Sequence, residues 1–153
     1  MMYEQKLKNM GLKIPDPPKP VAAYVPVVSI DGLIYTSGQI PIVDGILIYK
    51  GKVGIDLTEE EAYEGAKVCC LNCLSAIKGQ IETLDDIEKV IKVIGYVNSA
   101  PGFTNQSKVI NGASDLLGEV FGDVGEHARV VVGVCELPAN AAVELEMIVK
   151  IKE

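Results

Sequence analysis

The sequence predicts an α+β domain in which two helices cover one face of a mixed β-sheet. Segments with alternating apolar and polar residues stand near both ends of the chain, as in strands with one buried face. Two segments between them carry apolar residues at helical spacing. The order β-β-β-α-β-α-β-β indicates one domain, residues 21–153, after an N-terminal extension, residues 1–20. The extension is expected to form a short helix ending at Gly11 and then an extended proline-rich stretch.

The domain begins with a predicted hairpin. Residues 24–30 and 33–37 have strand character, and Asp31-Gly32 between them forms a tight turn. Gly38 follows the second strand, where the lack of a side chain lets the backbone approach another group closely. A further short strand is expected at residues 46–50.

Two helices follow, one on each side of a long strand. Thr58 and Glu61 have the spacing of a capping box, so a helix is expected to begin there and to end near Glu82. Residues 87–98 are expected to form a strand, and Thr104 to cap the second helix. The apolar stripe of that helix comprises Val109, Ile110, Ala113, Leu116, Leu117, Val120 and Phe121.

The segment from His127 to Ile151 contains two alternating runs around a turn at residues 137–140. Pairing them as a hairpin, with Glu136 opposite Val143, gives one uniformly apolar face, which should lie under the helices. The valines of that face are Val130, Val132, Val134, Val143 and Val149. Arg129 and Glu144 would share the other face, roughly 20 Å apart at 3.3 Å per residue. They could then join one site only across a subunit interface.

Charge and hydropathy exclude several classes of partner. The chain has 21 acidic and 14 basic residues and a net charge of −7, without a cluster of lysines and arginines. Binding to a nucleic-acid backbone needs a basic surface, so a nucleic-acid partner is not expected. No apolar run reaches the ~20 residues of a membrane span, so no membrane association is expected. Without an apolar signal segment at the N-terminus, the cytoplasm is the expected compartment.

Three of the four cysteines lie close together on the first predicted helix, at Cys69, Cys70 and Cys73. The Cys70-x-x-Cys73 spacing has a metal or redox interpretation, but a zinc site needs a second pair of ligands. The chain offers only one histidine, His127, and one distant cysteine, Cys135. We therefore expect these cysteines to be small buried apolar residues rather than metal ligands.

Two motifs in matching order resemble those of one known family. They are Arg129-x-x-Val132-x-Val134-x-x-Leu137-Pro138 followed by Val143-Glu144-Leu145-Glu146, and Leu33-Ile34-Tyr35-Thr36-Ser37-Gly38-Gln39-Ile40-Pro41. They resemble the RidA/YjgF family of reactive-intermediate imine deaminases, also known as endoribonuclease L-PSP or translation-inhibitor proteins. The resemblance implies a chorismate mutase-like fold. It also implies a homotrimer around a central β-barrel, with three clefts between subunits.

The same resemblance assigns two catalytic residues. The residue matching Arg129 holds the substrate carboxylate, which suits the planar, bidentate guanidinium. An interface salt bridge is the alternative interpretation of Arg129. Glu144 of the adjacent subunit would orient the attacking water, as a general base does. A solvated charge on a strand is the alternative for Glu144.

Five further residues are expected to bind substrate. In the family, the backbone after the Thr-Ser-Gly motif, here Ser37 and Gly38, assists in carboxylate binding. Tyr24 would close the pocket, and Asn111 matches an asparagine near the cleft. Val131 stands where the family's deaminases often have cysteine, which makes the pocket more apolar there.

Hydrolysis of 2-imino or enamine acids to 2-keto acids and ammonia, without a cofactor, is therefore the expected function. A non-catalytic trimer that binds a small carboxylate is the alternative that Val131 favours. An endoribonuclease or translation inhibitor is the third possibility, and the acidic composition disfavours it.

Overall fold

A computed structural model describes residues 1–20 and 22–153 of the chain. The three helices are α1 (Met2–Asn9), α2 (Glu59–Lys78) and α3 (Gln106–Phe121). The seven strands are β1 (Val27–Ile30), β2 (Leu33–Thr36), β3 (Ile42–Val43), β4 (Ile46–Leu47), β5 (Ile87–Asn98), β6 (Ala128–Val134) and β7 (Val143–Ile151). Short 3₁₀ turns lie at Leu84–Asp86, Gly122–Gly125 and Pro138–Asn140.

Five strands form the main sheet in the order β1-β2-β7-β5-β6. β5 and β6 are parallel, whereas the other neighbours are antiparallel, so the sheet is mixed as predicted. Helices α2 and α3 pack on one face of it, since Gly65 of α2 approaches Val143 and Ile110 of α3 approaches Gly95. β3 and β4 form a separate hairpin, so the strand expected at residues 46–50 is shorter and lies outside the main sheet.

The hairpin turn and the capping box predicted in the first half of the chain are both present, although α2 ends at Lys78 rather than near Glu82. Asp31 and Gly32 both have positive φ, 49° and 73°, which is the backbone of a tight two-residue hairpin turn. Thr58 and Glu61 form the capping box at the start of α2 with bonds of 3.1 and 2.8 Å. Helix α3 differs from its prediction, because its N-cap is Asn105 rather than Thr104 and makes no side-chain cap bond.

The predicted hairpin of the last two strands is wrong. β5 lies between β6 and β7: it pairs in parallel with β6 and antiparallel with β7. Helix α3 supplies the long crossover that a parallel neighbour requires. The register places Arg129 beside Val93, which faces the helices, whereas Val130 and Val132 point away from them and are 43% and 42% exposed. The valine stripe of β6 therefore belongs to the opposite face from that predicted.

The face of the sheet that no helix covers is rich in apolar side chains; we call it the open face. It includes exposed residues from both edges and from the strands between them. Its members are Val28, Ile30, Tyr35, Ile94, Tyr96, Val130, Val132, Glu144, Glu146 and Ile148.

The core lies between the sheet and the two helices, and the cysteine cluster belongs to it. Cys69, Cys70 and Cys73 are fully buried free thiols, as expected for small apolar residues of α2. Burial raises the pKa of all three thiols, so they stay protonated at neutral pH. Cys135 is exposed.

The N-terminal extension packs on the domain. Leu7 of α1 is buried in the core, and Glu4 accepts a hydrogen bond of 2.7 Å from the backbone N–H of Leu84. The extended stretch then crosses α2, where Ser75 donates to the carbonyl of Pro15 at 2.8 Å. Among the described residues, the helices are too short or too polar to span a bilayer.

Candidate active site

Two separate clusters contain most of the predicted site residues. Tyr24, Gly38 and Glu144 line one cavity, whereas Asn111 and Arg129 form a direct hydrogen bond elsewhere on the chain. The alternation of the sheet explains the separation. Arg129 aligns with Val93 and Met147 on the helix face, and Glu144 aligns with Tyr96 on the open face.

Arg129 and Glu144 therefore project from opposite faces of the sheet. The expectation that they cannot meet within one chain holds, but its predicted reason does not. The alternation of the sequence predicts both residues on one face of a hairpin, roughly 20 Å apart. In the structure the sheet itself stands between the two side chains.

The cavity around Glu144, which we call the Glu144 pocket, has a volume of about 810 Å³. At its inner wall the segment that follows β2 pairs with β7, where the backbones of Gln39 and Leu145 exchange hydrogen bonds of 2.8 and 3.0 Å. The Glu144 carboxylate lies directly against Gly38, because a Cβ on Gly38 would stand 2.2 Å from Oε1 of Glu144. Burial, and secondarily the charge of Glu146, raises the pKa of Glu144.

Ser37 and Tyr24 shape the entrance to this pocket. The Ser37 hydroxyl donates to the carbonyl of Val25 at 2.6 Å, and its backbone N–H donates to the carbonyl of Pro26 at 2.7 Å. Ser37 therefore fixes the loop in front of β1 against the start of the Gly38 segment. Tyr24, 60% exposed, lies at the rim.

The outer walls of the pocket come from two segments to which the sequence argument assigned no site. One is the extended part of the N-terminal extension, and the other is the β3–β4 hairpin. Asn72 of α2 holds the start of that hairpin through bonds of 3.0 Å from Nδ2 to the carbonyls of Ile40 and Ile42. The wall residues are Lys13, Pro15, Asp16, Pro18, Lys19, Pro20, Ile42, Val43, Asp44 and Gly45.

A methyl group at position 38 is expected to displace the Glu144 carboxylate. In Gly38→Ala the new Cβ would overlap Oε1, and the end of a glutamate side chain can move away at little cost. We expect a Tm close to that of the unchanged chain, together with an altered pKa of Glu144. Carboxyl ¹³C NMR titration measures that pKa, and an unchanged titration curve would contradict this placement of Glu144.

The second cluster holds Arg129 against α3. Nη1 of Arg129 donates to Oδ1 of Asn111 at 2.8 Å and to Oγ of Ser114 at 3.1 Å, and Nη2 donates to the carbonyl of Ser107 at 3.4 Å. A guanidinium has five N–H donors. Within the described residues, Nε and one N–H of Nη2 have no acceptor, which leaves two donors for a carboxylate.

Ser114 and His127 complete this cluster, although the sequence did not predict their role. Oγ of Ser114 lies 2.9 Å from Nε2 of His127, and Nδ1 of His127 lies 2.6 Å from the carbonyl of Gly125. One signal was available: Asn111 and Ser114 are three residues apart, so they share a face of α3. The approach of His127 depends on the turn at Gly122–Gly125, which has no comparable signature.

Val131 also faces the helices, two residues along β6 from Arg129, and it packs on the edge of the core. Within residues 1–20 and 22–153, no group of three His, Cys, Asp or Glu side chains has the geometry of a metal site.

The chain is similar to known proteins over nearly its whole length. Residues 4–150 match the family model described as "YjgF/chorismate_mutase-like, putative endoribonuclease". The chain is 40% identical to Protein TCP17 of Trypanosoma cruzi over 146 residues, which cover 95% of this chain and 91% of that protein. It is 28% identical over 141 residues to a 2-iminobutanoate/2-iminopropanoate deaminase of Dermatophagoides farinae, with 92% and 95% covered.

A solved structure shows the same fold. A protein of unknown function from Agrobacterium tumefaciens superposes with a TM-score of 0.93 at 40% sequence identity. The superposition covers 99% of this chain and 93% of that chain. Because so little of this chain falls outside the superposition, the similarity includes the N-terminal extension.

Proposed function

Because the chain belongs to the YjgF/chorismate mutase-like family, we propose that it hydrolyses reactive 2-imino and enamine acids to 2-keto acids and ammonia. The observation that carries the proposal is the partly buried Glu144 carboxylate held against Gly38 in an open cavity. The relative from Dermatophagoides farinae, named as a deaminase of this kind, supports the same reaction class.

The chemistry needs a clamp for the carboxylate and a base for water. In the proposed mechanism, Nε and the free N–H of Nη2 of Arg129 bind the substrate carboxylate through two parallel hydrogen bonds. Glu144 takes a proton from a water molecule, whose oxygen attacks the imine carbon. That proton passes to the imine nitrogen, which gives a carbinolamine. Its hydroxyl proton then moves to the amine, so ammonia leaves as the carbon–oxygen bond becomes a carbonyl. Imine and water thus give keto acid and ammonia, without oxidation or reduction.

We further propose that the active form is a homotrimer whose subunits cover one another's open faces. Val28, Ile30 and Tyr35 at one edge are 55%, 58% and 42% exposed, which is a large apolar area for an isolated chain. Arg129 and Glu144 also lie on opposite faces of the sheet, so one chain alone does not bring them into one site. Packing between copies would bring Arg129 of one subunit to Glu144 of its neighbour.

Ammonia release from freshly generated 2-iminopropionate tests this function. Arg129→Ala is expected to lower kcat/KM by about a hundredfold or more, because a charge-assisted bidentate contact is lost. Lys108→Ala is the matched control, since it removes an exposed cation of α3 and should retain full activity. Fast hydrolysis by Arg129→Ala would contradict the proposed role of Arg129 in binding the substrate carboxylate.

The raised pKa of Glu144 predicts the pH dependence of the reaction. A general base must be ionised, so kcat/KM should rise with pH through a pKa above the ordinary glutamate value of 4.5 and then level off. Glu144→Gln should remove this rise together with most of the activity. Because burial disfavours the charged form, Glu144→Gln should be at least as stable as the unchanged chain at pH 7. If kcat/KM of Glu144→Gln still rises with pH in the same way, the titrating group is not Glu144.

One observation favours a second function, namely binding of a small carboxylate without turnover. Val131 stands beside the clamp where the family's deaminases often have cysteine. In that case the unchanged protein would release no ammonia but would bind pyruvate in an Arg129-dependent manner. Isothermal titration calorimetry with Arg129→Ala as the comparison separates this outcome from catalysis.

A further inference from the structure

The hydrogen bonds around Arg129 run in one direction. The carbonyl of Gly125 can only accept, so Nδ1 of His127 carries the proton that it shares with Gly125. In the neutral ring, Nε2 is then the acceptor, and the Ser114 hydroxyl donates to it. This leaves a lone pair on Oγ of Ser114 for the N–H of Arg129. The resulting order is Arg129 to Ser114 to His127 to Gly125.

Both hydrogen-bond partners of His127 are fixed to helix α3. Ser114 belongs to α3, and Gly125 packs so tightly on it that a Cβ there would lie 2.2 Å from the carbonyl oxygen of Leu117. His127 is therefore held between two points of one rigid element. Nη1 of Arg129 donates to both Asn111 and Ser114, so the guanidinium cannot rotate about the Nε–Cζ bond without breaking both hydrogen bonds.

Such an arrangement prepares the guanidinium for a ligand. Binding a carboxylate through Nε and Nη2 requires the guanidinium plane to be fixed, and a freely rotating side chain would lose that freedom on binding. We propose that Ser114 and His127 are positioning residues, which act through Arg129 and raise its affinity for a carboxylate substrate. The catalytic part of this inference rests on the proposed function, whereas the restraint of Arg129 does not.

The composition of the chain makes the restraint directly measurable. Arg129 is the only arginine and His127 the only histidine, so each gives a single side-chain ¹⁵N signal set. Ser114→Ala is expected to speed rotation about the Nε–Cζ bond of Arg129, seen as exchange broadening or averaging of its Nη signals. Ser114→Thr keeps a hydroxyl and should restore slow rotation. Ser107→Ala is the matched control, because the Ser107 contact is made by its backbone carbonyl.

Kinetics on 2-iminopropionate distinguish positioning from a merely structural role. Ser114→Ala should raise KM about tenfold, the value of one lost hydrogen bond, with a smaller change in kcat. His127→Phe should act similarly, and Ser114→Thr should recover the original KM. A fall in Tm with unchanged KM and unchanged Arg129 rotation would overturn the proposal.

The NMR and kinetic measurements distinguish a failure of the proposed function from a failure of the positioning role. If the unchanged protein hydrolyses no imine, the proposed function fails, and the Arg129 signals of Ser114→Ala alone decide the positioning role. Unchanged rotation in that variant would reject it, and accelerated rotation would support it. If hydrolysis is fast but insensitive to Ser114→Ala, the function stands and the positioning role is rejected.

Discussion

Mixtures of two inactive variants, Arg129→Ala and Glu144→Gln, are expected to hydrolyse 2-iminopropionate. The reason is that the two side chains project from opposite faces of one sheet, so each proposed cleft takes them from different subunits. When the variants are unfolded and refolded together in equal amounts, about one quarter of all clefts should contain both original residues. Each variant refolded alone should release almost no ammonia.

A double variant provides the matched control for this experiment. Chains carrying both Arg129→Ala and Glu144→Gln, refolded with Arg129→Ala chains, form mixed oligomers in which no cleft contains an arginine. These mixtures should stay inactive. Native mass spectrometry verifies that subunits have exchanged, and mixed oligomers of the two single variants without activity would contradict a cleft shared between subunits.

Gly112→Ala is expected to cause the largest loss of stability of any single methyl addition considered. Gly112 lies where α3 crosses α2, and a Cβ there would stand 2.0 Å from the carbonyl oxygen of Tyr63 and 3.3 Å from Cβ of Ala66. The first of these is backbone, so the helices must separate. We expect the free energy of unfolding to fall by about 3 kcal/mol, and the Tm by roughly 10 °C.

Gly118→Ala makes the same chemical change in the same helix with the opposite expected sign. Gly118 is exposed, and among the described residues a Cβ added there would meet nothing outside the adjacent backbone of α3 within 4 Å. Replacing a mid-helix glycine by alanine should therefore raise stability by about 0.5–1 kcal/mol. Thermal unfolding of the two variants compares them directly, and a loss of stability in both would show that helix crossing is not the cause.

The sequence predicted those features whose causes lie within a few residues of one another. The Asp31-Gly32 turn and the Thr58–Glu61 capping box are local hydrogen-bond and dihedral preferences, and both are present. The burial of Cys69, Cys70 and Cys73 also followed from their spacing on one helix. Family resemblance added Asn111, and the structure joins it to Arg129.

The order of the strands in the sheet could not be predicted from such local signals. Alternation shows that the two faces of β6 differ, but it does not identify the neighbouring strand or the face that helices cover. Both faces of β6 carry valines, so Val130 and Val132 were assigned to the core when they belong to the open face. The same limit concealed Ser114 and His127, which meet only because the chain turns back at Gly122–Gly125.

The position of β7 has a consequence for folding. β7 comes last in the sequence of strands but third in the sheet, between β2 and β5. Until residues 143–151 are available, the sheet consists of two incomplete halves with unpaired backbone edges, a hazard for aggregation. Closure joins segments far apart in sequence, which slows folding. During synthesis, the chain is therefore expected to reach its native sheet only after its final strand has left the ribosome, and to need protection until then.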